Sequence, residues 1–542
     1  MNSNLAENLR FQIVEVQSQL EKTQEYLSKP SRRLLEHIIS RDNYIDNLKS
    51  AIQRKCFALA ADKNNLHTID TLNAIYTTAA NLEHIADLCE KIVHQVISLE
   101  GEQLPHRLDC SALFDEMIKG VSLVFEALIN GEVKTAITIC NIGKKIDELY
   151  TGMQGKILQE LNAAKHSQDL INCLFIVRYQ ERMGSSMINI GESIISAFLG
   201  DRVKIAQLEV LEKSLLDVDL HPNMSDLTLK AMGETKSGCR IDLVSCQNGS
   251  DEETLMIFKE GKPEKLHREK IGVEYWKTLM PGIAPAIYAH REETDSAALL
   301  FEYLHGDTFE KILVHGSDEE FLKAQTALKL TLSSVWLQTR RGDQRPSDFM
   351  QQIRDRINHV YQVHPEFSVN EVVIGEIRIP SFDSLLDAVE RIEKELSSPF
   401  CVLTHGDFNI DNIIYEKHSG KIRFIDLHRS AIGDYVQDIS VFMVSNFRLQ
   451  VFDAPVRRRI NEAIRGLYIY TAELAREEGD DTFTLRLTLG LIRSLITSTR
   501  FVLDKAVATD MLLRARYLME MVIRVKPGHY SRFKLPEDAI IA

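Results

Sequence analysis

The chain has 542 residues, 44% hydrophobic and 26% charged, a balance ordinary for globular protein, and its length suggests more than one domain. A formal net charge of −14 argues against a protein built mainly to hold nucleic acid. No apolar run approaches the roughly 20 residues of a membrane helix, MNSNLAENLR has no signal-peptide core, and the eight scattered cysteines lack a C-x-x-C pair, as expected of reduced thiols. A cytoplasmic protein without membrane insertion is therefore expected.

Residues 1–210 are helix-patterned, with sparse Pro and Gly. Leu72, Ile75, Ala79, Leu82, Ala86, Cys89, Val93 and Val96 alternate at three and four, the seam of a helix packed in a bundle. A second seam runs through Ile45, Leu48, Ile52, Cys56 and Leu59. Breaks at KPS (29–31), DKNN (62–65) and GEQLP (101–105) predict three long helices in the first hundred residues. The pattern then repeats. RDNYIDNLKSAIQRKCFAL (41–59) lies against CNIGKKIDELYTGMQGKIL (140–158), and NLEHIADLCEKIV (81–93) against YQERMGSSMINIG (179–191), with Glu83 on Glu181. Two such units, at about 5–100 and 108–205, would bury each other's open faces.

This half resembles the PhoU family of tandem three-helix bundles, associated with the regulation of phosphate transport. The resemblance implies a carboxylate motif, E/D-x-x-x-D, able to hold a divalent metal in each repeat. Glu83 and Asp87 match it, with Asp42 and Asp46 on the preceding helix. A spacing of four puts each pair on one helical face, so the four could converge on a hard cation. Asp42 falls near the apolar side, where a lone charge is costly. In the second copy Gly143 stands at the Asp42 position and Ser185 at the Asp87 position. The alternative is solvated or N–H-capping carboxylates, favoured for the second copy.

DVDLHPNMSD (217–226) reads as a turn, giving an expected linker at 211–226. Short strand-like runs follow from 227, and helical stretches return after about 306. Within the second half stands THGDFNIDNIIYEKHSGKIRFIDLHRSAIGD (404–434). It reads as strand, loop, strand, turn, strand, and it brings Asp407, Asn412 and Asp426 to one edge. Phosphoryl transfer needs a carboxylate to orient the acceptor and take its proton, and oxygen ligands to hold Mg²⁺ against the phosphates. His405 supports the loop from behind.

The stretch resembles the aminoglycoside phosphotransferase and choline kinase family, whose HGDxxxxN motif is followed by a strand ending in I-D. Here these stand as HGDFNIDN and FIDLHRSAIGD, with GDYVQDIS (433–440) matching the family's tail. The resemblance covers about 227–530 and implies an α+β, bilobal, protein-kinase-like domain, with a small lobe at about 227–305 and a large lobe at about 306–542. It implies ATP and Mg²⁺ as cofactors, Asp407 as catalytic base with His405 beside it, and Asn412 and Asp426 as Mg²⁺ ligands. Asp434 and Asp438 are mostly structural in this scheme, Asp434 with a chance of facing the acceptor. Lys259, ending the strand LMIFK, would grip the nucleotide phosphates, paired with Glu269 or, alternatively, Glu274. Glu302 to Leu304, in LLFEYLHGDTF, would offer backbone groups to adenine. MGETKSG (232–238) is the candidate phosphate-covering loop, without a G-x-G-x-x-G pattern.

The expected protein is a multidomain phosphotransferase acting on a hydroxyl or amine of a small molecule, fused to a helical module for regulation or for docking a protein partner. A protein kinase is the second reading, disfavoured because IGDYVQDIS follows Asp426 too closely for an activation loop. A regulatory adaptor of phosphate signalling that binds nucleotide without turnover is the third. The segment RRGDQRPSDFMQQIRDRINHVY (340–361) reads as a mixed-charge, solvated helix. The acceptor and the oligomeric state are not legible.

Overall fold

The computed structural model describes residues 3–61, 69–99, 110–162, 167–199, 204–217, 227–232, 239–247, 253–293, 296–368 and 370–541. The chain divides into two compact units, Met1–Glu234 with Arg240–Lys259, and Thr235–Cys239 with Glu260–Ala542.

The first unit opens with α1 (Ser3–Ser28), α2 (Arg32–Ala60) and α3 (Ile69–Ile97). The KPS break is real: Pro30 cannot continue a helix, and the Ser31 hydroxyl caps α2 by accepting from the Leu34 N–H at 3.3 Å. The other two expected breaks, at 62–65 and 101–105, lie outside the described residues. All eight seam residues of α3 are buried, each fully buried aliphatic contributing roughly 1.5–3 kcal/mol before entropy. Of the α2 seam, Ile45, Ile52 and Cys56 are buried and Leu48 and Leu59 half-buried. Two buried glutamines tie α1 to α3: Gln12 Nε2 donates to the Ala79 carbonyl at 2.8 Å and Gln19 Nε2 to the Ala86 carbonyl at 3.3 Å.

A second three-helix bundle follows in α4 (Ser111–Asn130), α5 (Val133–Leu161) and α6 (Ser167–Leu199), and α3 packs along α6 to join the repeats. The α5–α6 crossing is unusually close. A Cβ added at Gly143 would stand 2.6 Å from the Gly184 carbonyl oxygen. The residue at the Asp42 position of the second copy is thus a glycine because two backbones meet there. The unit continues with α7 (Ile205–Leu216), which covers the first part of the expected linker; residues 218–226 lie outside the described residues. Strand β1 (Leu227–Ala231) pairs antiparallel with β2 (Arg240–Gln247), and β3 (Glu253–Gly261) lies next in the order. Arg240 bonds Asp242 at 2.6 Å and Gln207 of α7 at 3.0 Å, tying the strands to the helices.

The second unit begins with α8 (Pro263–Leu279) and an antiparallel pair, β4 (Ile287–Glu292) and β5 (Ala297–Glu302). A short strand β6 (Asp307–Thr308) leads into α9 (Phe309–His315), α10 (Asp318–Thr339) and α11 (Phe349–Val363). An exposed hairpin, β7 (Val372–Ile374) with β8 (Ile377–Ile379), precedes α12 (Phe382–Glu393). Strand β9 (Val402–Thr404) opens the stretch that carries the site. Hairpin β10 (Ile413–Glu416) and β11 (Lys421–Phe424) pairs Ile413 with Phe424, and β12 (Ala431–Gly433) returns to pair with β9. The chain closes with α13 (Val436–Phe447), α14 (Ala454–Glu477), α15 (Phe483–Ser498) and α16 (Lys505–Ile523).

Helix α15, FTLRLTLGLIRSLITS, is buried nearly all round, its polar side chains included, as a central helix is. Helix α11 corrects the solvated reading of 340–361. It starts only at Phe349, and Phe349, Met350, Ile353 and Val360 are buried. The Glu393 carboxylate caps its start, accepting from the Phe349 N–H at 2.7 Å and the Met350 N–H at 3.1 Å. Among the described residues no helix is long and apolar enough to cross a membrane.

Candidate functional site

Asp407 sits just past β9 on a loop whose backbone is fastened from several sides. Gly406, with φ of 82°, adopts a left-handed conformation that side chains disfavour, and a Cβ there would lie 2.2 Å from the Arg429 carbonyl oxygen. The buried Asp438 carboxylate of α13 accepts from the His405 N–H at 2.7 Å and the Gly406 N–H at 2.9 Å. Burial pushes this carboxyl up to about 7, while those two amides pull the other way. Asn412 Nδ2 donates to the Asp407 carbonyl at 2.9 Å, and Asn409 Nδ2 donates to Asp407 Oδ1 at 2.9 Å.

His405 stands behind this loop. Its Nε2 donates to the Ile425 carbonyl at 3.0 Å, so Nδ1 is left to accept from the Asp407 N–H at 3.3 Å. Burial lowers its pKa, which favours that neutral tautomer. Phe408 and Phe424 meet its ring edge-on, both at 5.7 Å. Trp276 of α8 completes the wall: Nε1 donates to Ser430 Oγ at 2.8 Å, and that hydroxyl donates to the His405 carbonyl at 3.3 Å.

The hairpin β10–β11 carries Asn412 at its entrance and Asp426 just past its exit, and the Ile425 N–H donates to the Asn412 carbonyl at 3.1 Å. Asp426 has φ of 59°, the one non-glycine residue with positive φ among those described. Such strain recurs at functional positions. Its Oδ1 lies 3.1 Å from His428 Nδ1. The structure therefore brings Asp407, Asn412, Asp426 and His405 together around one hairpin.

Asp434 is buried by an ion pair with Arg486 of α15 and accepts from Ser347 Oγ at 3.0 Å and the Val436 N–H at 3.1 Å. Arg486 also pairs with Asp480, whose Oδ2 accepts from the Tyr435 hydroxyl at 2.6 Å. This network holds α13 to α15, a structural task.

The remaining predicted residues lie on other elements. Lys259 is buried near the end of β3 in the first unit. On α8 of the second unit, Glu269 is buried and Glu274 exposed. Glu302 ends β5: its N–H donates to the Ala286 carbonyl at 2.9 Å, and its Oε2 accepts from the Ala286 N–H and from Arg423 Nη2, both at 2.9 Å. The Leu304 carbonyl accepts from the Gly306 N–H at 2.9 Å. Most of the candidate phosphate-covering loop, 233–238, lies outside the described residues.

Sequence reading missed several basic residues. Arg429 Nη1 lies 3.2 Å from Asp407 Oδ2. Arg356 of α11, Arg493 of α15 and Arg500, in the 3₁₀ turn Thr499–Phe501, join it in acting electrostatically with Asp407. One signal was in plain view: Arg493 stands alone in an apolar run.

In the first unit, Lys49 Nζ bridges Asp46 at 2.6 Å and Glu83 at 3.2 Å, linking α2 to α3, and Lys91 Nζ takes Asp87 at 2.6 Å. Asp42 is half-buried, and its Oδ1 is buried with no hydrogen-bond partner. Burial, then the neighbouring Glu90, Asp87, Glu83 and Asp46, push its carboxyl up to about 6. The spacing of four does bring these acids to facing helices. Among the described residues, however, no three His, Cys, Asp or Glu side chains stand close enough together to hold a metal.

Comparison with known proteins matches PhoU domains to residues 13–96 and 111–194 and the ecdysteroid kinase-like family to residues 328–467. The phosphate-specific transport system accessory protein PhoU homolog of Clostridium acetobutylicum is 26% identical over 210 residues, covering 37% of this chain and 94% of the relative. PhoU of Serratia marcescens is 24% identical over 220 residues, covering 39% and 90%. Among solved structures, the ethanolamine kinase of Plasmodium vivax aligns with 57% of this chain and 85% of its own at 16% identity and a TM-score of 0.34. Tandem all-helical PhoU domains and a kinase-like domain of helices and small sheets thus stand in one chain.

Proposed function

We propose that the C-terminal domain transfers the γ-phosphate of ATP to a hydroxyl or amine of a small molecule, with the PhoU domains regulating it or docking a protein partner. The observation that carries this reading is the pinned loop: Asp407 is held by Asn412 through its carbonyl and by Asp438 through the two preceding amides. A carboxylate carried on backbone pinned both within its loop and from α13 is suited to meet an acceptor in one orientation.

The donor set fits Mg²⁺, since the Asn412 amide oxygen and the Asp426 carboxylate are hard oxygen ligands of the kind that ion takes. When bound, Mg-ATP supplies the phosphoryl group with its charge partly neutralised. Asp407 orients the acceptor and takes its proton as the acceptor's oxygen or nitrogen bonds to phosphorus and the bond to ADP breaks. His405, held neutral, fixes the loop and takes no proton. Lys259 and Glu269 keep the phosphate-gripping and supporting roles of the family resemblance. The Glu302 carbonyl and the Leu304 N–H, groups outside the two backbone bonds described, meet adenine. A divalent ion at Asp42, Asp46, Glu83 and Asp87 would require Lys49 and Lys91 to move aside.

The test is transfer of label from γ-labelled ATP, with Mg²⁺, to a pool of hydroxyl- and amine-bearing metabolites. A Mg²⁺-dependent labelled product is expected. Tight nucleotide binding with no product from any acceptor would replace this reading with the nucleotide-binding adaptor.

A further inference from the structure

Two arginines on α15 stand seven residues apart, close to two full turns, and meet opposite fates. Arg486 is wholly buried between Asp434 and Asp480. Arg493 is 5% exposed, and its Nε and Nη2 are buried with no hydrogen-bond partner. Its guanidinium lies 5.3 Å from the centre of the Phe349 ring, which offers attraction but accepts no N–H bond in the plane of the fork. A buried cation with open donors is costly and is kept where something supplies the acceptors.

Arg493 has company. Helix α11 packs on α15 and on the Thr499–Phe501 turn, and these elements carry Arg356, Arg493 and Arg500. The Arg500 Nε is likewise buried without a partner. Burial and then the Arg356 charge lower the Arg493 pKa to about 10 and lower that of Arg500, with Arg429 adding to both and Asp407 opposing. Burial and then Arg429 lower Arg356. Asp355 opposes at Arg356 and Asp438 at Arg493, but the two acids nearest the loop are already engaged. Asp407 has its one ion pair with Arg429, and the Asp438 carboxylate is spent on two backbone amides.

We propose that the acceptor end of the site is an anion receptor: Arg356, Arg493 and Arg500, with Arg429, hold the phosphate or carboxylate of a small acceptor while its hydroxyl meets Asp407. Planar guanidinium forks match both anions, and the same field repels a cationic acceptor such as an amino alcohol. The inference rests on the phosphotransferase reading for its transfer step, but anion binding itself can be read without transfer.

The experiment uses the full chain with Mg²⁺ and a non-hydrolysable ATP analogue, titrated by calorimetry with ribose 5-phosphate, D-glycerate, glycerol and ethanolamine. At least one anionic probe should bind tenfold or more tighter than glycerol, and ethanolamine more weakly still. The two anionic arms separate phosphate from carboxylate. Arg493→Gln and the more accessible Arg356→Gln should each weaken the anionic probe tenfold or more while melting as the wild type does. With ATP, the loss should fall on KM for the anionic probe rather than on kcat. Anion binding that is lost in these variants, with no transfer, upholds the receptor and overturns only the phosphotransferase reading. Ethanolamine or glycerol bound as tightly as both anions overturns the receptor. So does an equal fall in kcat for every acceptor, because the arginines would then serve the transferred phosphoryl group.

Discussion

The acidic groups of the two halves are assembled on opposite plans. In the PhoU domains a spacing of four lines Asp42 with Asp46 and Glu83 with Asp87, and the helices carry them face to face. Each stands on a regular helix, and lysines reach three of the four. In the kinase-like domain Asp407, Asn412 and Asp426 come from irregular backbone held by groups from elsewhere: the α13 carboxylate of Asp438 takes the two amides before Asp407, the Ile425 amide takes the Asn412 carbonyl, and aromatic rings wall in the neighbouring His405. Helical spacing gathers charge. Fixing a single atom takes backbone pinned from outside the local chain.

Breaking the pinned plan should have the largest effect. Asp407→Asn should cut phosphoryl transfer by about 10²–10⁴-fold, the usual worth of a positioned base, with the affinity for Mg-ATP little changed. Wild-type turnover in single-turnover kinetics would remove Asp407 from the chemistry.

Gly406→Ala strikes the loop itself. The new methyl meets the Arg429 carbonyl at 2.2 Å on a left-handed backbone, a strain of at least about 1–3 kcal/mol, and transfer should fall with it. Denaturant unfolding of the full chain checks this, and a variant as stable as the wild type would show the loop to be pliant.

Asp426→Ala should weaken Mg-ATP binding at least about tenfold, since even outer-shell changes cost that much. Calorimetry with ATP, with and without Mg²⁺, reads it directly. An unchanged Mg²⁺ dependence would take Asp426 out of the metal shell.

The smallest effect belongs to the helical plan and has a pH signature. The Asp42 carboxyl is raised from 3.8 to about 6. Between those values the folded chain keeps a proton that the unfolded chain has released, so this group's stabilising contribution is full below about pH 4 and lost as pH rises through 6. Asp42→Asn should therefore stabilise the protein at neutral pH by a few tenths to about 1 kcal/mol, discounted for partial exposure. The gain should vanish toward pH 4. A constant difference at both pH values would mean that Asp42 carries no unfavourable charge.

Much of the first plan was legible because helices write their geometry into spacing. The α3 seam and the KPS break lie within a few turns of chain, and the repeat shows because the same local spacing recurs about a hundred residues on, with Glu181 in the place of Glu83. The HGDFNIDN loop was legible for a related reason: hairpin and loop are local, so Asp407, Asn412 and Asp426 fall within twenty residues. The arginines escaped notice because they meet through packing alone. Arg356 and Arg493 lie on helices far apart in sequence, and no periodicity links them. Lys49 escaped for the opposite reason. Reading carboxylates at a spacing of four leaves out the lysine three residues past Asp46 that takes two of them.

Asp426 leaves one more consequence. Its backbone, at φ of 59°, is one that glycine adopts freely and that asparagine and aspartate tolerate better than alanine does. Asp426→Gly should accordingly disturb folding less than Asp426→Ala, although both remove the carboxylate. Backbone freedom favours glycine and the proposed metal role favours a carboxylate at this one position. Were the carboxylate without a part in the proposed transfer, glycine at 426 would ease the backbone with no loss of activity.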